Sequence, residues 1–144
     1  MIRLAILDDL PELQRMGRRF FEVSGYSELS EYNEDDMKEV FVKLIDNEFL
    51  YTDGKNGMIG FSMFPVFFCQ DTIAAQELFW WVDEEKRGSI LGIKLLKIAE
   101  NKAKSLGANV FLMLSIDSLN GEEINNIYKK MGYKKQENTY IRRL

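Results

Sequence analysis

The stretch Glu77–Ala108, ELFWWVDEEKRGSILGIKLLKIAENKAKSLGA, decides the architecture. An apolar run ending at Val82 gives way to a charged turn with Arg87-Gly88-Ser89. Apolar residues at helical spacing follow, Leu91, Leu95, Ile98, Ala99, Ala103 and Leu106, closed by Gly107. The pattern predicts a strand over about Ile73–Val82 and a long amphipathic helix opening near Gly92. A strand feeding a helix through such a turn aims free N–H groups and the positive end of the helix dipole at one point, which suits an anion such as a pyrophosphate. The turn alone fits a plain corner equally, because every strand–helix unit contains one.

Downstream, Val110–Ser115 (VFLMLS) is an unbroken apolar run, as expected of a strand buried on both faces. A helix is expected over Glu122–Met131, stopped by Gly132, and a final strand over Tyr133–Arg142. Upstream, Ile2–Ile6 reads as a first strand. Asp9 and Glu12 form the pattern of a capping box, with Pro11 in the first turn, for a helix carrying Leu10, Leu13, Gly17, Phe20 and Phe21 on one face. Gly25-Tyr26-Ser27 breaks it. Asn33 with Asp36 then caps a second helix with Met37, Val40, Phe41, Leu44 and Ile45 along its apolar side. Phe49–Thr52 and Met58–Phe68 read as a hairpin around Asp53-Gly54-Lys55-Asn56-Gly57. The expected order is β-α-α-β-β-β-α-β-α-β, an α/β chain (α+β, mixed sheet) with helices on both faces. The crossover from Ile73–Val82 to Val110–Ser115 is expected to be parallel and right-handed.

Composition narrows the chemistry. The 144 residues suit a single domain, 46% hydrophobic and 29% charged. Cys69 is the one cysteine and there is no histidine, so zinc chemistry and a histidine-based triad are excluded and no metal is expected. Cys69, with nothing to activate it, reads as a small packed residue rather than an acyl carrier. No apolar run approaches membrane-spanning length and Met1-Ile2-Arg3-Leu4 lacks a signal-peptide layout, so a cytoplasmic location and no membrane partner are expected. The net charge of −4 divides into −7 over residues 1–72 and +3 over residues 73–144. That split suits a polyanion on one half and a cation on the other, and equally suits scattered solvated charge. No concentrated basic stripe marks a nucleic-acid binder.

Two segments carry a family resemblance. Val82–Gly92, VDEEKRGSILG, is similar to the acetyl-CoA loop of the GNAT superfamily of N-acetyltransferases, Arg/Gln-x-x-Gly-x-Gly/Ala after a strand. Ile127–Tyr133, IYKKMGY, resembles the Tyr-x-x-x-Gly-Phe/Tyr ending of many members, and the element order matches over the whole chain. The resemblance implies a sheet splayed between the strand ending near Val82 and Val110–Ser115, with the pantetheine arm of acetyl-CoA lying in the splay. It implies that Trp81, Val82 and the backbone of Arg87, Gly88, Ser89, Ile90, Leu91 and Gly92 hold the cofactor. Lys86, Arg87 and Lys129 are candidates for outer phosphates, and each fits plain surface charge as well. Ile90 stands where the family has its first glycine, so its side chain must point away from the phosphates.

By the same resemblance Tyr128 is the general acid that protonates the departing thiolate; its alternative is a packing aromatic. A phenol protonated at neutral pH suits the task. Glu77 is the carboxylate candidate for the base, against a solvated strand-edge acid or a water relay. Strict alternation puts Glu77 on the face of Phe79 and Trp81, and a bulge would change that parity. A backbone N–H at Val82 or its neighbour would stabilise the thioester oxygen. The loop Phe21–Asp36 would wall the acceptor site, with Tyr26 and Tyr32 among six acids suited to a cationic amine. Of the adjacent pair Trp80 and Trp81, one is expected in the core and the other, Trp80, in the acceptor cleft. The expected activity is acetyl transfer from acetyl-CoA to a primary amine, either a small cationic amine or a protein Lys or N-terminal amine. The alternative is a catalytically inactive CoA-binding or protein-binding regulatory module. A homodimer through an edge formed by the final strand is a further expectation.

Overall fold

Two long runs of strand-forming residues, Gly57–Val66 and Cys69–Val82, pair antiparallel around an exposed turn at Phe67-Phe68 and make the spine of the molecule. The computed structural model describes residues 1–144. Numbered along the chain, the strands are β1 (Arg3–Leu4), β2 (Leu50–Thr52), β3 (Gly57–Val66), β4 (Cys69–Val82) and β5 (Val110–Leu112), and they lie in that order in one sheet. β5 joins β4 in parallel and every other pairing is antiparallel. The helices are α1 (Leu10–Val23), α2 (Glu34–Asp46), α3 (Leu91–Ser105) and α4 (Gly121–Lys130). None is long and apolar enough to cross a membrane.

Neighbouring residues of β3 point to opposite faces and so divide the core in two. Met58 joins Leu13, Met16, Phe41 and Leu44 under α1 and α2, with Phe79 and Trp81. Ile59 and Phe61 join Leu95, Leu96, Ala99 and Ala103 of α3 and Tyr128 of α4. The mixed sheet with helices on both faces is therefore as expected. Opposite the junction of Gly60 and Phe61 the register slips, so that Gly60 faces Phe79 while Phe61 faces Glu77, leaving Leu78 as a bulge. Ala75 belongs to the α3–α4 core, whereas Phe79 and Trp81 belong to the α1–α2 core. The bulge has changed the parity of β4.

Several expectations are corrected. Asn33 caps α2 as read, accepting from the Asp36 N–H at 2.9 Å. Asp9 makes no side-chain cap of α1. Its carboxylate instead takes a forked pair of bonds from Arg3, at 2.7 and 2.8 Å, and one from the Ile6 N–H. A guanidinium in reach outbids the helix N–H groups because the charged bond is stronger. The final strand Tyr133–Arg142 does not form: residues 134–144 are exposed and irregular. Lys134-Lys135-Gln136-Glu137-Asn138 offers no apolar alternation to bury, so nothing rewards the ordering. The sheet's edges are consequently β1 and β5, and the argument for a homodimer through a final strand loses its strand. β5 is shorter than expected, and Val110 and Leu112 are exposed, because no sixth strand and no helix covers that side. Cys69 is exposed at the hairpin tip rather than packed.

A methyl group at Gly60 would stand 2.6 Å from the Phe79 ring and 3.1 Å from Leu44. Gly60→Ala is expected to destabilise the fold by about 1–3 kcal/mol through overpacking, read as a lowered urea midpoint with unchanged slope. An unchanged midpoint would contradict this packing.

Candidate functional site

β4 and β5 share only three residue pairs, Ala74 with Val110, Ala75 with Phe111 and Gln76 with Leu112. Beyond them the two strands part, and side chains occupy the gap. The Glu77 carboxylate accepts the Leu114 N–H at 2.9 Å, and the Tyr128 hydroxyl donates to the Leu114 carbonyl at 2.6 Å. One residue's backbone thus ties together the carboxylate from β4 and the phenol from α4. The β4 bulge sends Glu77 toward this side, so it does not share the face of Phe79 and Trp81.

Glu77 is 6% exposed and has no cationic partner. Burial pushes its carboxyl up to about 7, with the Leu114 N–H pulling the other way. Burial also raises the Tyr128 hydroxyl well above its ordinary value, helped by the charges of Glu77 and Tyr133. The Tyr128 ring stacks on Trp80, with centroids 6.0 Å apart and planes at 29°, and it touches Tyr133, whose hydroxyl is bonded to Glu100 on α3.

The loop before α3 leaves backbone N–H groups free, as the expected anion seat requires. Gly88 takes φ of +84°, a conformation costly to any residue with a side chain. Within the loop, Arg87 N–H bonds Glu84 O, Ser89 N–H bonds Lys86 O, and Leu91 N–H reaches Ser89 Oγ at 3.3 Å. The N–H groups of Gly88, Ile90, Gly92 and Ile93 have no partner inside the chain. Ile90 is 62% exposed, so its side chain projects to solvent and leaves the amides open. Gly92 lies in the first turn of α3; a methyl there would meet the Trp80 ring at 3.3 Å.

A cavity of about 320 Å³ is lined both by Gly88, Ser89 and Gly92 of the loop and by Glu77 and Tyr128, with Trp80 in contact with Gly92 and with Tyr128. Trp81 and Val82 border it as well. Arg87 lines it, with its guanidinium 4.7 Å above the Trp81 ring and its Nε donating to Val82 O at 3.1 Å. Ile90, Leu91 and Lys129 do not line it. Leu91 packs on the α3–α4 core and Lys129 is an exposed side chain of α4.

The expected acceptor group is only partly assembled. Tyr26 lies 6.0 Å from Phe20, a cavity residue, while Tyr32 is bound to α1 through Gln14 at 2.6 Å and lies under Arg18. Neither tyrosine borders the cavity, and Trp80 stands with Tyr128 rather than with them. Glu22 and Glu34 are neutralised by Arg19 and Arg18, leaving Glu28, Glu31, Asp35 and Asp36 without ion pairs. A second, charged cavity of about 360 Å³ lies between α1 and residues 83–85. Its arginines are already paired: Arg15 forks onto the buried Asp83 at 2.7 and 3.2 Å and also bonds Lys55 O, fastening α1 to the β2–β3 turn and the end of β4.

Sequence reasoning missed Leu114, Phe20 and Asp83. Leu114 was hidden because its contribution is backbone. Asp83 was legible only as a charge following Trp81, whose indole N–H it accepts at 2.9 Å.

Because the folded value of Glu77 lies above its ordinary value of 4.5, the native state holds that proton more tightly than the unfolded chain. Its contribution to stability is complete below about pH 4.5 and is lost as pH rises through about 7. Glu77→Gln keeps an acceptor for Leu114 and should remove this loss, on the order of 3 kcal/mol. Denaturant titrations of both proteins from pH 4 to 8 check it; parallel curves would contradict it.

No protein-family model matches the sequence, and no curated protein does. Solved structures do. A transcriptional regulator from Bacillus halodurans is 16% identical, covering 100% of this chain and 99% of its own, with a TM-score of 0.78. A ribosomal-protein-alanine N-acetyltransferase from Brucella melitensis is 17% identical over 100% and 99%, with a TM-score of 0.70. The aminoglycoside N-acetyltransferase AAC(6')-Iy, in complex with CoA, is 12% identical over 100% and 93%, with a TM-score of 0.76. Identities this low show a shared fold, and that fold is the GNAT acetyltransferase fold which the two motifs implied.

Proposed function

We propose that this chain, built on the GNAT acetyltransferase fold, transfers an acetyl group from acetyl-CoA to a primary amine by direct attack in a ternary complex. The observation that carries the reading is the single cavity running from the free N–H groups of the α3 loop to Glu77 and Tyr128. The residues suit the cofactor: Gly88 has open space around it, and the unpartnered amides ask for an anionic acceptor. Gly88, Ile90, Gly92 and Ile93 would hold the pyrophosphate through their backbone, with Arg87 and Lys86 beside it. Bound there, acetyl-CoA supplies the activated acyl group.

Glu77 would take the proton of the incoming ammonium, directly or through water; a carboxyl near 7 is suited to exchange protons at neutral pH. As the new C–N bond forms and the thioester C–S bond breaks, Tyr128 would give its proton to the leaving sulfur. Its raised value keeps it protonated until then. The second proton shed by the nitrogen would restore the phenol through water, leaving the amide and the free thiol of CoA. A backbone N–H at Val82 or its neighbour would stabilise the charge on the carbonyl oxygen. The unpaired acids Glu28, Glu31, Asp35 and Asp36, with Tyr26 nearby, favour a cationic acceptor, whether a small amine or a protein amine.

A second reading, a CoA-binding or protein-binding regulatory module, draws on the transcriptional regulator among the matched structures. Calorimetry with acetyl-CoA and CoA, followed by a primary-amine panel, separates the two. The proposed reading expects micromolar binding, abolished by Gly92→Glu, and turnover on at least one cationic amine. Binding without any turnover would favour the module.

For an active amine, kcat/KM should climb with pH through about 7 as Glu77 loses its proton. Glu77→Gln should lose that limb and at least about tenfold in rate. Tyr128→Phe should lower kcat about 100-fold while cofactor binding holds. A full rate in Tyr128→Phe would remove the phenol from the mechanism.

A further inference from the structure

Trp80 touches both ends of the cavity. Its indole N–H donates to the carbonyl of Gly92 at 3.1 Å, in the helix turn that presents the free amides. Its ring lies against the Tyr128 ring with centroids 6.0 Å apart and planes at 29°. Gly92 in turn leaves no slack, since even a methyl there would come within 3.3 Å of the Trp80 ring. The Tyr128 hydroxyl is fixed at the far side by Leu114 O. A rigid, flat side chain therefore spans from the anion seat to the phenol, with a directional bond at one end and a stacked face at the other.

We infer that Trp80 is a positioning residue that sets the distance between the anion seat of α3 and the Tyr128 hydroxyl. This inference rests on the acetyltransferase reading and replaces the acceptor-cleft role expected of Trp80. The arm of acetyl-CoA between its pyrophosphate and its thioester has a fixed maximum reach. A protein that seats one end on backbone amides and protonates the sulfur at the other must hold those two points at a matching separation. No backbone hydrogen bond joins α4 to the start of α3. Trp80, held on β4 between them, supplies the link through its side chain.

The two ends of the link can be cut separately. Trp80→Phe keeps an aromatic face for Tyr128 and loses the bond to Gly92. Trp80→Leu loses both. Cutting the Gly92 bond should loosen the seat, so both variants should bind CoA about fivefold more weakly by calorimetry. In acetyl transfer, the loss in Trp80→Phe should fall on KM for acetyl-CoA. Trp80→Leu should in addition lose at least about tenfold in kcat and shift the pH–rate profile, because the Tyr128 ring loses the face it stacks on while its hydroxyl stays tied to Leu114 O. Thermal unfolding checks that both variants are folded.

Equal losses of kcat in the two variants, or unchanged CoA binding in both, would overturn the link. A wild-type protein that binds CoA but acetylates nothing would sink the acetyltransferase reading while leaving the CoA arm to decide the bond to Gly92. A wild-type protein that binds no CoA would overturn both.

Discussion

The backbone of Leu114 is the point on which the rest of the candidate site depends. Its N–H is held by a carboxylate from β4 and its carbonyl by a phenol from α4. A parallel neighbour would ordinarily satisfy those groups from its own backbone. Here side chains do so, which lets the two strands part without leaving buried polar groups unpaired. The cavity exists because of that substitution. The same arrangement explains the electrostatics, since a carboxylate drawn into the gap leaves water behind and holds its proton more tightly as a result.

Charge elsewhere does mechanical work. Arg15 reaches from α1 to Asp83 and to the carbonyl of Lys55, and Arg87 folds over Trp81 onto Val82 O. These bonds gather α1, the β2–β3 turn and the end of β4 around a buried indole. Asp83 is almost wholly buried but accepts from both a guanidinium and the Trp81 N–H, so its charge is compensated. The acidic half of the sequence is thus less free to attract a ligand than its net charge implies: Glu12, Glu22 and Glu34 are spent on arginines of α1.

What was legible in the sequence was what depends on local pattern. The strand, turn and helix over Glu77–Gly107, the cap at Asn33 and the two motifs all reflect neighbours within a few residues. Glu77 and Tyr128 could be named as a pair, though their meeting at Leu114 could not. Parity along β4 turned on a bulge opposite the Gly60–Phe61 junction of β3, beside the place where the Phe79 ring lies against the bare backbone of Gly60. Asp9 carries a cap signature but answers to Arg3, and Trp80 and Trp81 are told apart only by which core each enters. The expected last strand failed for a reason visible in hindsight: a polar run beside a hydrophobic edge has nothing to bury.

The short ladder between β4 and β5 has a consequence for motion. A wall attached by three residue pairs, open to solvent on its outer side, separates at lower free energy than the strands buried between helices. The cavity is therefore bounded by one stiff side, β4 with its long antiparallel partner, and one compliant side, β5 and the chain after it. Local opening of the compliant side widens the passage by releasing the Leu114 bonds to Glu77 and Tyr128, while the pairing of β4 with β3 stays intact. Entry and departure of a long, flexible ligand can then proceed by fraying of a strand end, with no hinge between domains.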